Sequence, residues 1–263
     1  MATVSEHDSH HDEIHMPEPS FWPLLLALSI GVLPVGFLLS VWTNKGTALL
    51  VIGGVLVVTC LMGWANQLIR ETSSLPDILE DDRWMRNGMK LFLLSEAAIF
   101  GAFFAHYYST RISAPTWPLA GAPKLSTTLP AIATLILMSS SVTMEFAHKA
   151  LKIGRRGVAS LLTLVTIILG VIFLSFQGHE WGFLRTYDKF THQSGISGTL
   201  FYVMTGFHGA HVATGILMLL IVWFRLRLGH FDPQRHFSFL AASWYWHFVD
   251  VVWIALFFSI YLI

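Results

Sequence analysis

Seven long, nearly unbroken apolar runs follow one another along the chain, at 21–42, 46–66, 88–109, 127–147, 157–177, 197–224 and 241–262, separated by short polar stretches. A hydrocarbon core of about 30 Å takes roughly 20 helical residues to cross, and each run is long enough. No water is available there to backbone donors and acceptors, so each run must be a helix that satisfies them within itself. The alternating pattern of a membrane barrel strand is absent. The pattern therefore predicts an all-α, polytopic membrane protein with seven transmembrane helices.

The polar stretches divide the chain. Residues 1–20 form a solvated N-terminal tail that lacks the basic start of a signal peptide. Its His7, His10, His11 and His15 stand among acidic residues and are assigned no chemistry. A two-helix unit follows at 21–66. The connection at 67–87, with Pro76, Glu80, Asp81 and Asp82, sets it apart from a five-helix bundle at 88–263. Residues 110–126, with Pro115, Pro118 and Pro123, read as an irregular cap. No internal repeat suggests a transporter built from inverted halves.

Composition strengthens the membrane reading and removes other classes. Charged residues make up 12% of the chain and hydrophobic ones 54%, whereas a soluble domain carries about 25% charged residues. The net charge of zero offers no basic field for nucleic acid. The single cysteine, Cys60, excludes an intrachain disulfide and reads as a small core hydrophobe.

Charge also sets direction. With the N-terminus cytoplasmic, the inner loops hold Arg70, Arg83, Arg86, Lys90, Lys149, Lys152, Arg155, Arg156, Arg225, Arg227 and Arg235. The outer ones keep Lys45, Arg111, Lys124, Arg185 and Lys189. That bias predicts an N-inside, C-outside topology. Small residues hint at helix contacts: Gly206, Gly209, Ala210 and Ala213 on the sixth run and Ala97, Ala98 and Gly101 on the third are expected to pack on each other.

Ionisable residues inside the runs are the candidates for function, since such groups are costly in a bilayer without partners. Glu96 lies roughly 12 Å from the inner end of the third run, too deep for its short side chain to reach water. His208 and His211 share a face of the sixth run and offer Glu96 a donor, which makes a buried polar cluster, structural or proton-related. Axial ligation of a haem or metal is disfavoured: the other deep histidines, His106, His148 and His247, lie near helix ends or among aromatics. His247 and Asp250, three apart on the seventh run, form a structural polar pair with an easy imidazole-to-carboxylate hydrogen bond. The surrounding Trp244, Tyr245, Trp246 and Trp253 read as an interfacial belt. At the inner end of the sixth run, Arg225 suits a lipid phosphate, and Trp64 is a plausible neighbour for lipid. No residue is assigned as catalytic or as a metal ligand.

Several segments carry a resemblance: TGFHGAHV at 205–212, WYWHFVDVVW at 244–253 and RNGMKLFLLSEAAIFGAFF at 86–104, with WANQLIRE at 64–71 and SVTMEFAHKAL at 141–151 matching more loosely. In these the chain resembles subunit III of the haem-copper respiratory oxidases, in the seven-helix cytochrome c oxidase form. The resemblance implies a two-plus-five arrangement with a V-shaped cleft holding phospholipid, packed beside the catalytic subunit. It implies that this subunit carries no redox cofactor, haem and copper being held by partner subunits I and II. Its implied role is to protect the catalytic subunit and support proton uptake in a complex that passes electrons from cytochrome c to oxygen and pumps protons.

Residue by residue, Glu96 matches the family's carbodiimide-reactive glutamate, His208 and His211 its HGxH pair, and Arg225 and Trp64 its lipid-contacting positions. Ala65 and Asn66 stand where many members have an arginine just after the tryptophan, which puts headgroup anchoring there in question. The implied location is the bacterial cytoplasmic membrane, with the mitochondrial inner membrane second. Two alternatives stay open: the equivalent subunit of a quinol oxidase, and a free-standing proton or ion carrier lined by Glu96, His208 and Asp250.

Overall fold

A computed structural model describes residues 19–43, 46–74, 83–119, 122–123, 125–231, 233 and 236–263. The His-rich tail, the acidic segment around Glu80 to Asp82 with Pro76, and the loop positions Lys45, Lys124 and Arg235 lie outside the described residues. Seven α-helices account for nearly all the rest: α1 Trp22–Thr43, α2 Thr47–Ser74, α3 Arg83–Ser113, α4 Thr128–Lys152, α5 Arg156–Thr186, α6 Gly195–Arg227 and α7 Phe237–Phe257. The last continues into a π-helical turn, Phe258–Leu262. All seven are long and apolar enough to cross a membrane, and no strand occurs among the described residues.

Most helices outrun their apolar stretches. The longest overrun is in α5, whose apolar run ends at 177 but whose helix reaches Thr186. Gln177 at the end of that run and Glu180 beyond it are buried, so their polarity marks an inward-facing partner and not a helix end. Between α4 and α5 the chain reverses at Gly154, with φ 76°, a left-handed conformation that glycine adopts at no steric cost. The amide of Arg155 donates to the Ala150 carbonyl at 2.9 Å, satisfying one of the last acceptors of α4.

The packing falls into two units, one of α1 and α2 and one of α3 to α7. In the first, Gly36 lets α1 lie against the α2 backbone: a β-carbon there would sit 2.9 Å from the Leu50 nitrogen. Cys60 is buried and touches Ser29 at 3.6 Å, in keeping with a small core residue.

In the second unit the core lies among α4, α5, α6 and α7. Trp246 of α7 fills the centre. Its ring occupies the space that Gly170 of α5 and Gly215 of α6 leave open, where added β-carbons would meet it at 2.6 and 2.9 Å. Its Nε1–H donates to Ser140 Oγ of α4 at 2.9 Å, so one side chain touches three neighbouring helices. Trp253, two turns further along α7, donates to Thr134 Oγ1 at 2.9 Å and packs edge-on against Phe173 at 4.7 Å.

Two expectations need correcting here. Tyr245, Trp246 and Trp253 are not an interfacial belt, because all three are buried in the core and both indole N–H groups have hydroxyl partners within it. Nor do the small residues of α3 and α6 meet. Gly206 faces Trp181 of α5, a β-carbon there lying 3.2 Å from the ring, whereas a β-carbon on Gly101 would enter open space. α3 meets α6 through aromatic rings instead, Phe100 and Phe103 packing edge-on against Phe207 at 5.6 and 5.2 Å.

Candidate functional site

Three carboxyl groups within the helices, Glu96, Asp250 and Glu180, each stand in a separate polar group. In the first, Glu96 of α3 faces His211 of α6, with Oε2 2.9 Å from Nε2. Glu96 lies thirteen residues into α3, counted from Arg83, which is roughly 20 Å along the helix and deeper than its apolar run suggests. The side chains of Glu96 and His211 are only 17% and 12% exposed. Phe100 and Phe207 stand over the imidazole at 5.0 and 4.9 Å.

The other ring nitrogen determines what this pair can do. His211 Nδ1 lies 2.8 Å from the Phe207 carbonyl, which only accepts, so Nδ1 carries a proton. Between Nε2 and Oε2 there is then one shared proton. With it on the ring, the pair is imidazolium and carboxylate; with it on Glu96, both groups are neutral. The same heavy-atom positions serve both forms.

His208 does not join them. One turn from His211, it is fully buried, 5.0 Å from the Trp253 ring and 5.8 Å from Phe173. Neither of its nitrogens has a hydrogen-bond partner among the described residues. The three-residue offset turns the two rings about 60° apart, enough to send one towards α3 and the other between α5 and α7.

In the second group, on α4 and α7, His247 and Asp250 come together without a direct bond between them. Ser141 Oγ lies 2.9 Å from His247 Nδ1 and donates to Asp250 Oδ2. The expected imidazole-to-carboxylate bond is thus replaced by a hydroxyl bridge from a neighbouring helix. Asp250 is 3% exposed, and its Oδ1 has no partner among the described residues. Glu145, one turn from Ser141, approaches His247 Nε2 at 4.0 Å and pairs with Lys149 at 3.2 Å.

The third group escaped the sequence reading. Glu180 of α5 is buried, accepting from Tyr261 Oη at 2.8 Å and from Gln177 Nε2 at 3.3 Å. The signal available was the three-residue spacing of Gln177 and Glu180, which puts both on one helix face. A cavity of about 360 Å³ lies close by, lined by Tyr107, Trp117, Phe190, Phe201 and Tyr261 among others. None of Glu96, His208, His211, His247 and Asp250 lines it.

The two proposed lipid contacts stand on the surfaces of their own units. Arg225 stands in the last turn of α6, its Nη1–H donating to Ser238 Oγ at 3.0 Å and its guanidinium 4.8 Å over the Phe231 ring. Among the described residues, Ser238 Oγ is the acceptor its guanidinium meets. Trp64 is partly exposed on α2. Among the described residues, no three histidine, cysteine or acidic side chains converge as a metal site.

Comparison with known proteins gives one consistent result. The family model described as cytochrome c oxidase subunit III matches residues 11–263. The cytochrome c oxidase subunit 3 of Papio hamadryas is 40% identical over 256 residues, covering 94% of this chain and 95% of that one. That of Pisaster ochraceus is 37% identical over 262 residues, covering 96% and 98%. For Marchantia polymorpha the identity is 36% over 262 residues, covering 96% and 97%.

Proposed function

The chain belongs to the cytochrome c oxidase subunit III family, and from that membership we propose that it is the non-redox third subunit of a proton-pumping oxidase that passes electrons from cytochrome c to oxygen. Haem and copper reside in its partners, subunits I and II, and this chain stabilises the catalytic one. The complex lies in the bacterial cytoplasmic membrane, with this chain's N-terminus inside. Residues 21–66 make a lipid-facing two-helix unit, and 88–263 make the five-helix bundle that carries the ionisable residues.

The observation that carries the mechanistic part is the Glu96–His211 contact at 2.9 Å. A carboxyl and an imidazole that share one proton within the membrane can pass it between them without rearranging their neighbours, which suits a group that supports proton uptake by an adjoining subunit. His208, with no hydrogen-bond partner among the described residues, is the structural member of the HGxH pair, filling the space between Phe173 and Trp253. Phospholipid is held at Arg225, whose planar guanidinium at the end of α6 suits a phosphate, and at Trp64.

The test is purification of the tagged chain in mild detergent, followed by a redox difference spectrum and subunit mass analysis. Haem absorbance together with subunits I and II is the expected result. A haem-free chain that alone moves protons across liposome membranes would replace this reading with the carrier alternative.

A further inference from the structure

Glu145, His247, Ser141 and Asp250 form a row that no part of the proposed function uses. Ser141, Glu145 and Lys149 recur every four residues on α4 and so share one face. His247 and Asp250 meet that face from α7. From Glu145 to the basic end of α4 at Lys152 is seven residues, about 10 Å, and Ser141 lies one turn deeper. Exposure falls along the row, from 47% at the Glu145 side chain and 35% at that of His247 to 3% at Asp250.

We propose that this row is a proton relay, in which Glu145 and His247 collect a proton near the inner face and Ser141 passes it to Asp250. The hydrogen-bond geometry serves both ends of the transfer. Before it, His247 Nδ1–H donates to Ser141 Oγ and the serine hydroxyl donates to an ionised Asp250. A proton from the Glu145 carboxyl then binds His247 Nε2, the Nδ1 proton moves to Ser141 Oγ, and the serine proton moves to Asp250 Oδ2. Afterwards Asp250 O–H donates to Ser141 Oγ, the serine hydroxyl donates to Nδ1, and His247 holds its proton on Nε2. One proton has gone from Glu145 to Asp250, and each oxygen and nitrogen of the bridge keeps a partner throughout.

Only the 4.0 Å step between Glu145 and His247 exceeds hydrogen-bond reach, and both side chains are exposed enough to close it by rotation. Among the described residues, the charged and titratable groups around the row are Lys149, which pairs with Glu145, and His148, which feels Lys152, His236, Glu145 and His247. Because Asp250 Oδ1 has no partner among the described residues, the chain of hydrogen bonds stops at this carboxyl, which makes it a store and not a conduit.

The test is infrared spectroscopy of the full chain in phospholipid nanodiscs, which needs no oxidase partner. The C=O band of protonated Asp250, assigned by its loss in Asp250→Asn, shifts as the carboxyl exchanges after transfer to D2O. Ser141→Ala should slow that exchange by about a hundredfold, the lower end of what a positioned proton-transfer group contributes, and Ser141→Thr should restore it. Glu145→Gln alters an exposed residue, leaves the fold intact and should slow exchange as well, so it decides the matter if Ser141→Ala does not fold. A wild-type rate in Ser141→Ala or Glu145→Gln, equal slowing in Ser141→Thr, or no Asp250 carboxyl band at any pH where the chain is folded overturns the relay.

Discussion

Glu96 and His211 hold one proton between them because the Phe207 carbonyl already claims the other ring nitrogen. Replacing Glu96 by Gln keeps the shape and leaves an amide that can donate to Nε2 or accept from it, so the chain should still assemble. A hydrophobic carbodiimide should label Glu96 in the parent and leave this position unlabelled in the variant. Subunit content of the purified complex and peptide mass spectrometry check both outcomes; loss of the assembled chain would make the carboxyl structurally indispensable. Sequence alone led to Glu96, because an acid amid sixteen or so apolar neighbours has to be partnered. It could not choose between His208 and His211, since helical spacing tells which residues share a face and not which helix lies opposite. For the same reason the Ser141 bridge stayed hidden: serine carries no charge to draw notice, and its importance comes from α4 meeting α7. Glu180 was missed because it sits beyond the end of its apolar run.

Between helices, contacts depend on side-chain shape, and there the sequence was least legible. Small residues at helical spacing are read as places where two backbones approach, yet Gly170 and Gly215 each receive the ring of Trp246 instead. A glycine thus signals that something comes close without saying whether it is a backbone or an indole. The consequence is measurable. Gly215→Leu, placing a branched side chain where Trp246 lies, should cost about 1–3 kcal/mol through overpacking. Trp246→Ala should cost more, about 3–5 kcal/mol, since it empties the junction of four helices and leaves Ser140 Oγ without its indole donor. Unfolding of the purified chain in nanodiscs gives the ranking, and equal stability of both variants with the parent would show that the wedge does not hold the helices together.

At the scale of the whole chain, legibility was highest. Hydrocarbon admits only backbone that satisfies itself, so seven apolar runs translate into seven helices whatever their partners. Direction follows from where the cations stand: Lys149, Lys152, Arg155 and Arg156 crowd the turn between α4 and α5, and Arg225 and Arg227 the end of α6, whereas the turn between α5 and α6 keeps Arg185 and Lys189. Retention of cations on the cytoplasmic side would make those ends the inner ones in the topology we propose, and an odd number of crossings would then put the two termini on opposite faces. A reporter active only outside the cytoplasm should therefore be silent when fused before residue 20 and active when fused after Ile263. The relay from Glu145 and the Glu96–His211 pair both take their inner and outer ends from this orientation. Activity at the N-terminal fusion would invert the chain, and Glu145 would then meet the outer face, where a store at Asp250 would fill from the opposite compartment.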